Sequence, residues 1–270
     1  MPLFPYFLGR SGRTTTIGMG VFFFIFITSC TMKNTLLQAD PKLQRDECVI
    51  VLHGLGRSAH SMSRMSKALA ANGYTVAHTS YSSRKYPVEY LAMKVIPEAI
   101  SKCGDTVNTI HFVTHSMGGI LTRYYLNQTS IDNLGRVVML SPPNQGSEVV
   151  DNLADSTWYE MLFGPSGQQL GTGPESIVHQ LGEVYYPVGI ITGNRHTFFD
   201  GWLSRMIPGE NDGKISVERA KLAGMQDFLV VPHNHTFIMK QEEVIQQTLH
   251  FLRHGRFLHK MELSTDIPIQ

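Results

Sequence analysis

The chain has 270 residues, a formal net charge of +1 and a hydrophobic fraction of 42%. This near-neutral charge gives no electrostatic footprint for a nucleic acid, so we expect no nucleic-acid partner. The length suits one α/β domain that follows a leader segment. No heptad pattern, internal repeat or low-complexity tract interrupts the sequence, which favours a single folded domain.

The first residues have the composition of an export signal. Arg10 and Arg13 form a positive segment, and residues 17–27 form an apolar one. That apolar segment is too short to span a bilayer comfortably, which favours a signal peptide over residues 1–29 rather than a membrane helix. It runs into Thr-Ser-Cys30, which resembles a bacterial lipoprotein cleavage site. An uncleaved signal anchor with an incidental cysteine is the alternative.

The lipoprotein resemblance implies a place for the mature protein. The thiol of Cys30 would carry acyl chains such as palmitate, and each buried CH₂ contributes about 0.8 kcal/mol to membrane anchoring. Thr31 fits the pattern for transfer to the outer membrane of the bacterial cell envelope. Residues 30–47 are polar and patternless and predict a tether. We expect the folded domain over residues 48–255 and a C-terminal tail over residues 256–270.

Apolar, β-branched segments alternate with amphipathic segments through this domain. The alternation predicts an α/β fold with a mostly parallel sheet that helices cover on both faces. The predicted strands are residues 49–53, 75–80, 109–115, 136–141, 186–192 and 228–232, and the predicted helices are residues 59–71, 87–102, 117–128 and 239–253. Right-handed crossovers bring the carboxyl ends of such strands to one edge, where we expect the functional residues.

A candidate nucleophile lies between the third strand and the third helix, in Thr114-His-Ser-Met-Gly-Gly119. A serine in a sharp strand-to-helix turn projects its hydroxyl out of the sheet, and the helix N-terminus behind it favours negative charge. Ser116 is therefore the expected nucleophile. Thr114 departs from the pattern G-x-S-x-G at its first glycine, whereas Gly118 keeps the second. A Ser-Met-Gly-Gly turn in an ordinary α/β protein is the alternative interpretation.

The first strand runs into a glycine-rich turn, His53-Gly-Leu-Gly56. In an acyl-transfer enzyme, such a turn presents backbone N–H groups to the oxyanion that develops on the substrate carbonyl. The expected donors are the amides of Leu55 and of Met117, the residue after the candidate nucleophile. His53 lies at a strand end beside glycines, so we expect it to shape the loop through hydrogen bonds rather than to act as a base.

A candidate carboxylate follows the fifth strand, in Asn211-Asp-Gly213. There Asp212 would orient a histidine and stabilise its imidazolium, although an Asp-Gly pair also suits an ordinary turn. Three other carboxylates could orient the histidine instead, but none has the same position in a loop after a strand: Asp200, Glu210 and Asp227.

A candidate general base follows the sixth strand, in His233-Asn-His235. We favour His235 because it lies further into the loop and directly precedes the apolar run that leads into the last helix, and His233 is the alternative. A His-x-His pair also suits a metal ion, but no third ligand stands at a suitable spacing, so we expect no metal.

The order Ser116, Asp212, His235, with a strand-turn-helix at the serine, is the α/β-hydrolase arrangement. On these residues, with the turn at residues 53–56 and the segment Ser141-Pro-Pro-Asn-Gln-Gly-Ser147, the chain resembles a bacterial α/β-hydrolase of the lipase and esterase type. The resemblance implies the α/β-hydrolase fold in a minimal version without extra N-terminal edge strands. It also implies a serine ester hydrolase that forms an acyl-enzyme, acts on an ester or acyl-lipid and needs no cofactor.

Two other functions are compatible with the same residues. An acyltransferase or thioesterase would use the same triad, because the triad does not distinguish an ester from a thioester or water from an alcohol. A non-catalytic envelope lipoprotein that binds lipid or a partner needs no triad. The presence of all three residue types with both oxyanion turns therefore favours an enzyme.

In the resembled fold, the strands that follow Cys103 and begin at Cys48 are neighbours. This implies a Cys48–Cys103 disulfide in the oxidising envelope, and two buried free thiols are the alternative.

Two apolar segments leave the expected catalytic edge, and the first, residues 144–184, lacks a clear helical or strand period. We interpret it as a lid-like excursion. It and the second segment, residues 198–207, would receive an acyl chain, seat the enzyme on a bilayer or simply pack over the sheet.

Overall fold

The structure is a computed structural model that describes residues 45–259, apart from the side chain of Trp158. The predicted signal peptide, Cys30, most of the tether and most of the tail lie outside the described residues. Among the helices in residues 45–259, none combines the length and the apolar character needed to cross a bilayer.

Six strands form a sheet in which every neighbouring pair is parallel. They are β1 (Glu47–Leu52), β2 (Thr75–His78), β3 (Thr109–His115), β4 (Leu134–Leu140), β5 (Val188–Gly193) and β6 (Asp227–Val231), in the spatial order β2-β1-β3-β4-β5-β6. All six predicted strands are present with small shifts at their ends. The strand order reverses between β1 and β3, and ligands of open α/β sheets bind at such switch points.

Helices cover both faces of this sheet, as predicted. Along β1, Ile50 belongs to one hydrophobic core, whereas Val49 and Val51 belong to the other, because successive strand side chains point to opposite faces. The helices over the two cores are α2 (Val88–Cys103) and α3 (Met117–Gln128) on the first face, and α1 (Ser63–Ala71) and α9 (Glu242–His254) on the second.

The excursion contains more regular structure than its sequence suggested. It forms three short helices, α4 (Glu148–Leu153), α5 (Thr157–Gln168) and α6 (Ile177–Gln180). Their shortness conceals any 3.6-residue period, and a non-helical Gly164 (φ 64°, ψ −170°) before Pro165 breaks α5 near its middle. The following loops add α7 (Gly201–Ser204) and α8 (Val217–Ala220).

A disulfide joins the first strand to the second helix. The Cα atoms of Cys48 and Cys103 lie 5.7 Å apart, and both residues belong to the first core. The bond that the resemblance implied is therefore present, and it ties the start of β1 to the end of α2.

Candidate active site

Ser116 occupies a strained turn between β3 and α3. Its backbone has φ 53° and ψ −126°, a combination that residues with a side chain rarely adopt and that costs about 1–3 kcal/mol. Two backbone bonds hold this conformation, because Ser116 N–H donates to Leu140 O at 2.8 Å and Gly119 N–H donates to Ser116 O at 2.9 Å. The side chain lines a cavity at the carboxyl edge of the sheet.

Two glycines allow the first strand to approach this turn closely. A Cβ atom on Gly118 would lie 2.9 Å from His53 O and 3.0 Å from Leu52 O. A Cβ atom on Gly54 would lie 2.9 Å from the Cβ atom of Ser116. These distances are too short for carbon, so both positions exclude a side chain, and the glycine-rich turn lies against the serine for that reason.

The structure also explains how threonine replaces the first glycine of the motif. Thr114 is fully buried, and its Oγ1 would lie 3.4 Å from a Cβ atom on Gly119. The additional bulk at position 114 therefore packs beside the glycine that follows Gly118. The Gly118-Gly119 pair makes room for both the strand and the threonine.

Asp212 and His235 form a buried pair at the same edge. The Nδ1–H group of His235 donates to Asp212 Oδ2 at 2.9 Å, while Asp212 Oδ1 accepts the amides of Lys214 and Ile215 at 3.0 and 2.8 Å. The His235 backbone N–H also donates to Asp212 O at 3.0 Å. Because Nδ1 carries the proton in this bond, Nε2 keeps the lone pair that a general base requires.

The alternatives to His235 as base and to Asp212 as its carboxylate partner make contacts elsewhere. The ring of His233 lies 3.3 Å from Glu243, and Asp227 lies 2.9 Å from the ring of His259. Asp200 accepts a hydrogen bond from Thr197 at 2.9 Å. Glu210 accepts one from Asn194 at 3.4 Å.

Ser116 and His235 line one cavity of about 250 Å³. Within the described residues no hydrogen bond joins the Ser116 hydroxyl to the His235 ring, although both residues line this cavity. Catalytic hydrogen bonds are often long in proteins without substrate and shorten when it binds.

The expected oxyanion donors lie at the turn after β1 and at the start of α3. Leu55 lines the cavity, and Met117 is the first residue of α3, where an amide has no partner within its helix. In residues 45–259, neither amide donates a hydrogen bond to the protein. Both N–H groups are therefore without an acceptor in the described part of the protein.

His53 shapes the turn through hydrogen bonds, as its position suggested. Its Nδ1–H donates to Gly54 O at 2.9 Å, and its Nε2 accepts the Tyr81 amide at 3.2 Å. The ring also stacks on Tyr81 with centroids 4.0 Å apart. Burial lowers the pKa of His53 to about 4, so the ring is neutral at pH 7 and both bonds persist.

His115, a residue without a predicted role, lies beside the base. Its Nε2–H donates to His235 O at 3.0 Å, and burial holds its pKa well below the ordinary value. The neutral ring therefore supports the backbone of His235 without adding charge next to it. Its place in the sequence, directly before the candidate nucleophile, is the feature from which a role for His115 could have been predicted.

The remaining cavity wall is mostly apolar and comes from the excursion and the loop after β5. The apolar lining residues from these segments are Val149, Val150, Leu153, Tyr159, Leu162, Phe163, Leu170, Trp202 and Leu203. Met161, Phe198 and Phe199, which neighbour these residues in sequence, are more than four-fifths exposed. Two cations, Arg57 and Lys214, also line the cavity.

No three histidine, cysteine or carboxylate side chains converge as a metal site within residues 45–259. No protein-family model matches the sequence, and no curated protein matches it closely. The chain is, however, similar in structure to several solved proteins.

The mature form of the lipase BlEst2 from Bacillus licheniformis aligns with a TM-score of 0.58 and 22% identity, over 79% of this chain and 93% of that one. A metagenome-derived lipolytic enzyme of the LipS and LipT pair aligns with a TM-score of 0.57 and 16% identity, over 78% and 95%. The phospholipase PlaB from Legionella pneumophila aligns with a TM-score of 0.59 and 15% identity, over 76% of this chain but only 57% of that one. The parallel sheet, its helical layers and these neighbours show that the chain has the α/β-hydrolase fold of bacterial lipases and esterases.

Proposed function

We propose that the protein is a serine ester hydrolase with Ser116 as nucleophile, His235 as general base and Asp212 as the group that orients the base. One observation carries this proposal: the strained Ser116 shares a cavity with a histidine whose far ring nitrogen is bonded to a buried aspartate. Alone, a buried Asp–His pair or a strained serine could serve only to stabilise the fold. Because the pair and the serine meet in one apolar cavity, a catalytic role is favoured over a purely structural role for each.

The reaction would proceed in two acyl-transfer steps. His235 Nε2 accepts the Ser116 proton while Oγ forms a bond to the ester carbonyl carbon, and the amides of Leu55 and Met117 donate to the resulting oxyanion. Collapse of this intermediate breaks the bond to the alcohol, which leaves with the proton from His235. Water then attacks the acyl-enzyme, gives its proton to His235 and releases the carboxylic acid, so that Ser116 regains its hydrogen.

The cavity favours an ester with an apolar acyl group. Its walls are mostly aliphatic and aromatic side chains from α4, α5 and the loop around α7, and its polar side chains besides the catalytic groups include Arg57, Ser147 and Lys214. Burial of each CH₂ of an acyl chain in such a wall contributes about 0.8 kcal/mol. An ester or acyl-lipid therefore suits the site better than a polar acyl donor.

The test is Ser116→Ala with Ser141→Ala as its matched control. Ser141 is also a buried serine at the end of a strand with positive φ (47°), but it does not line the cavity. We expect Ser116→Ala to lower kcat for p-nitrophenyl hexanoate by more than about 10³-fold with unchanged thermal stability, and to abolish labelling by a fluorophosphonate probe. Ser141→Ala should retain turnover and labelling. Wild-type turnover in Ser116→Ala would refute the proposal.

We also propose that the mature protein is anchored to the outer membrane through acyl chains on Cys30. The support is the sequence alone, namely the charged and apolar leader and the small residues before the cysteine. Metabolic labelling with an alkyne analogue of palmitate should mark the wild-type protein but not Cys30→Ser. Equal labelling of the two proteins would contradict the anchor.

A further inference from the structure

A second cavity adjoins the candidate active site and differs from it in chemistry. It measures about 380 Å³ and is lined by Gly56, Arg57, Tyr81, Ser82, Ser83, Arg84 and Lys85. Arg57 lines both cavities, and Gly56 directly follows the candidate oxyanion donor Leu55. The polar cavity therefore adjoins the turn that carries the candidate oxyanion donor Leu55.

The three cations of this cavity have no carboxylate partner. In residues 45–259, no ion pair involves Arg57, Arg84 or Lys85. Arg57 donates to Thr236 O at 3.3 Å and Arg84 to Leu162 O at 3.1 Å, which leaves most N–H groups of both guanidinium groups available. Lys85 lies over the Tyr86 ring at 5.4 Å. Three like charges converge here without compensation.

Lys214 is a different case. It lines the catalytic cavity but not the polar one. Burial lowers the pKa of its ammonium, the charges of Asp200 and Asp212 act in the opposite direction, and that of Arg57 adds to the lowering. We therefore do not count it with the other three.

The loop of residues 82–85, which carries Arg84 and Lys85, is fixed relative to the glycine-rich turn of residues 53–56. The Gly56 amide donates to Ser83 Oγ at 3.0 Å, and Ser166 Oγ of α5 donates to Ser83 O. At Gly164 of α5 the backbones come so close that a Cβ atom would overlap Arg84 O. The backbone that carries Arg84 and Lys85 is therefore held at a set distance from the site of ester cleavage, which is a property that a substrate-binding segment needs.

We propose that this second cavity binds the phosphate group of a glycerophospholipid substrate while the acyl chain of the scissile ester lies in the apolar cavity. The inference rests on the proposed function. In such a lipid, the phosphate is only a few bonds from the ester and on the side of its alcohol, and the polar cavity adjoins the carbonyl position. Two guanidinium groups and an ammonium match the several oxygens of a phosphate better than they match a neutral glyceride.

The experiment compares two soluble esters with the same acyl chains, dihexanoylphosphatidylglycerol and dihexanoylglycerol, each below its critical micelle concentration. The quantity measured is the ratio of kcat/KM for the phospholipid to kcat/KM for the neutral glyceride, with purified full-length protein. We expect wild type to favour the phospholipid. Arg57→Gln and the double variant Arg84→Gln/Lys85→Gln should each lower the ratio about tenfold, which corresponds to about 1.4 kcal/mol.

Two controls separate charge from general damage. Arg57→Lys keeps the charge and should retain most of the ratio, while Lys67→Gln removes an exposed cation of α1 that lines neither cavity and should leave it unchanged. Arg84 and Lys85 are themselves exposed, so the double variant is expected to fold.

The outcomes distinguish this inference from the proposed function. If wild type hydrolyses both esters but the ratio is the same in wild type, Arg57→Gln and the double variant, the phosphate site is refuted and the hydrolase stands. If wild type hydrolyses p-nitrophenyl hexanoate but neither of these two esters, the phosphate site is refuted and the hydrolase stands. If it hydrolyses none of the three, both proposals fail.

The polar cavity could instead bind free phosphate rather than the phosphate group of a lipid, and inorganic phosphate tests this alternative. Sodium chloride at equal ionic strength is the reference, and we expect phosphate to leave dihexanoylglycerol hydrolysis unchanged. A phosphate effect that Arg57→Gln abolishes would assign the cavity to free phosphate and overturn the substrate assignment.

Discussion

Asp212→Asn separates the orientation of the base from the stability of the fold. The Asn side chain has the same shape, and its carbonyl oxygen can keep the bonds from the Lys214 and Ile215 amides. Its NH₂ group then replaces Oδ2 opposite His235 Nδ1, at the present 2.9 Å. Two N–H donors repel one another there, so the imidazole takes the tautomer that carries its proton on Nε2.

The expected decrease in kcat of Asp212→Asn follows from that change of tautomer. A neutral imidazole with its proton on Nε2 cannot accept the Ser116 proton. The corresponding aspartate-to-asparagine change in a serine protease lowers kcat about 10⁴-fold, and a barrier higher by about 5.5 kcal/mol corresponds to that factor. We expect a similar factor here. One charge-assisted hydrogen bond is lost, so the free energy of unfolding should fall by no more than about 3 kcal/mol.

The assay is kcat for p-nitrophenyl hexanoate together with urea unfolding of the same preparation. Asp227→Asn is the matched control, because Asp227 also accepts a histidine ring, that of His259 at 2.9 Å, but lines none of the cavities described. Its kcat should stay at the wild-type value. Asp212→Ala should unfold more easily than Asp212→Asn, since it leaves two amides and an imidazole without an acceptor. Wild-type kcat in a folded Asp212→Asn would refute the role given to Asp212.

Three further predictions concern the scaffold. Gly118→Ala should lower the free energy of unfolding by about 1–3 kcal/mol and reduce kcat, because its Cβ atom would overlap backbone oxygens at the end of β1; Gly173→Ala, with open space around it, should change neither. Replacing Cys48 and Cys103 by alanine should destabilise the fold by about 4 kcal/mol in urea, as the chain-entropy model gives for a separation of 55 residues, and equal stability of the two proteins would contradict this. The folded-state pKa of His53, about 4, lies below its unfolded value of 6.5, so the unfolded chain binds the additional proton between these pH values. Unfolding free energy should therefore fall by up to about 3 kcal/mol as pH drops through that window, and His53→Gln should flatten the slope; an unchanged slope would contradict burial as its cause.

The main elements were predictable because they are regular and long. The third strand and third helix, residues 109–115 and 117–128, occur with the predicted limits. A run of buried β-branched residues that ends in Ser-Met-Gly-Gly leaves few alternatives to a strand, a turn and a helix. The helices of the excursion were missed because each spans few turns and one contains a Gly-Pro break.

The site was only partly predictable. The choice between His233 and His235 depends on the direction of one turn, and in the structure it is His235 whose ring and backbone N–H both bond to Asp212. The support from His115 joins residues 120 positions apart, and no local pattern encodes it.

The amino-acid sequence by itself determined the strands and long helices, the strained serine turn and the chain order of the three candidate catalytic residues. These features follow from hydrophobic periodicity and from residues that only certain backbone conformations tolerate, and both are local properties. Only the tertiary structure decided which histidine meets Asp212, what lines the two cavities and how Arg57, Arg84 and Lys85 come to face one space. Those contacts join distant segments, and their geometry depends on how the loops pack over the edge of the sheet.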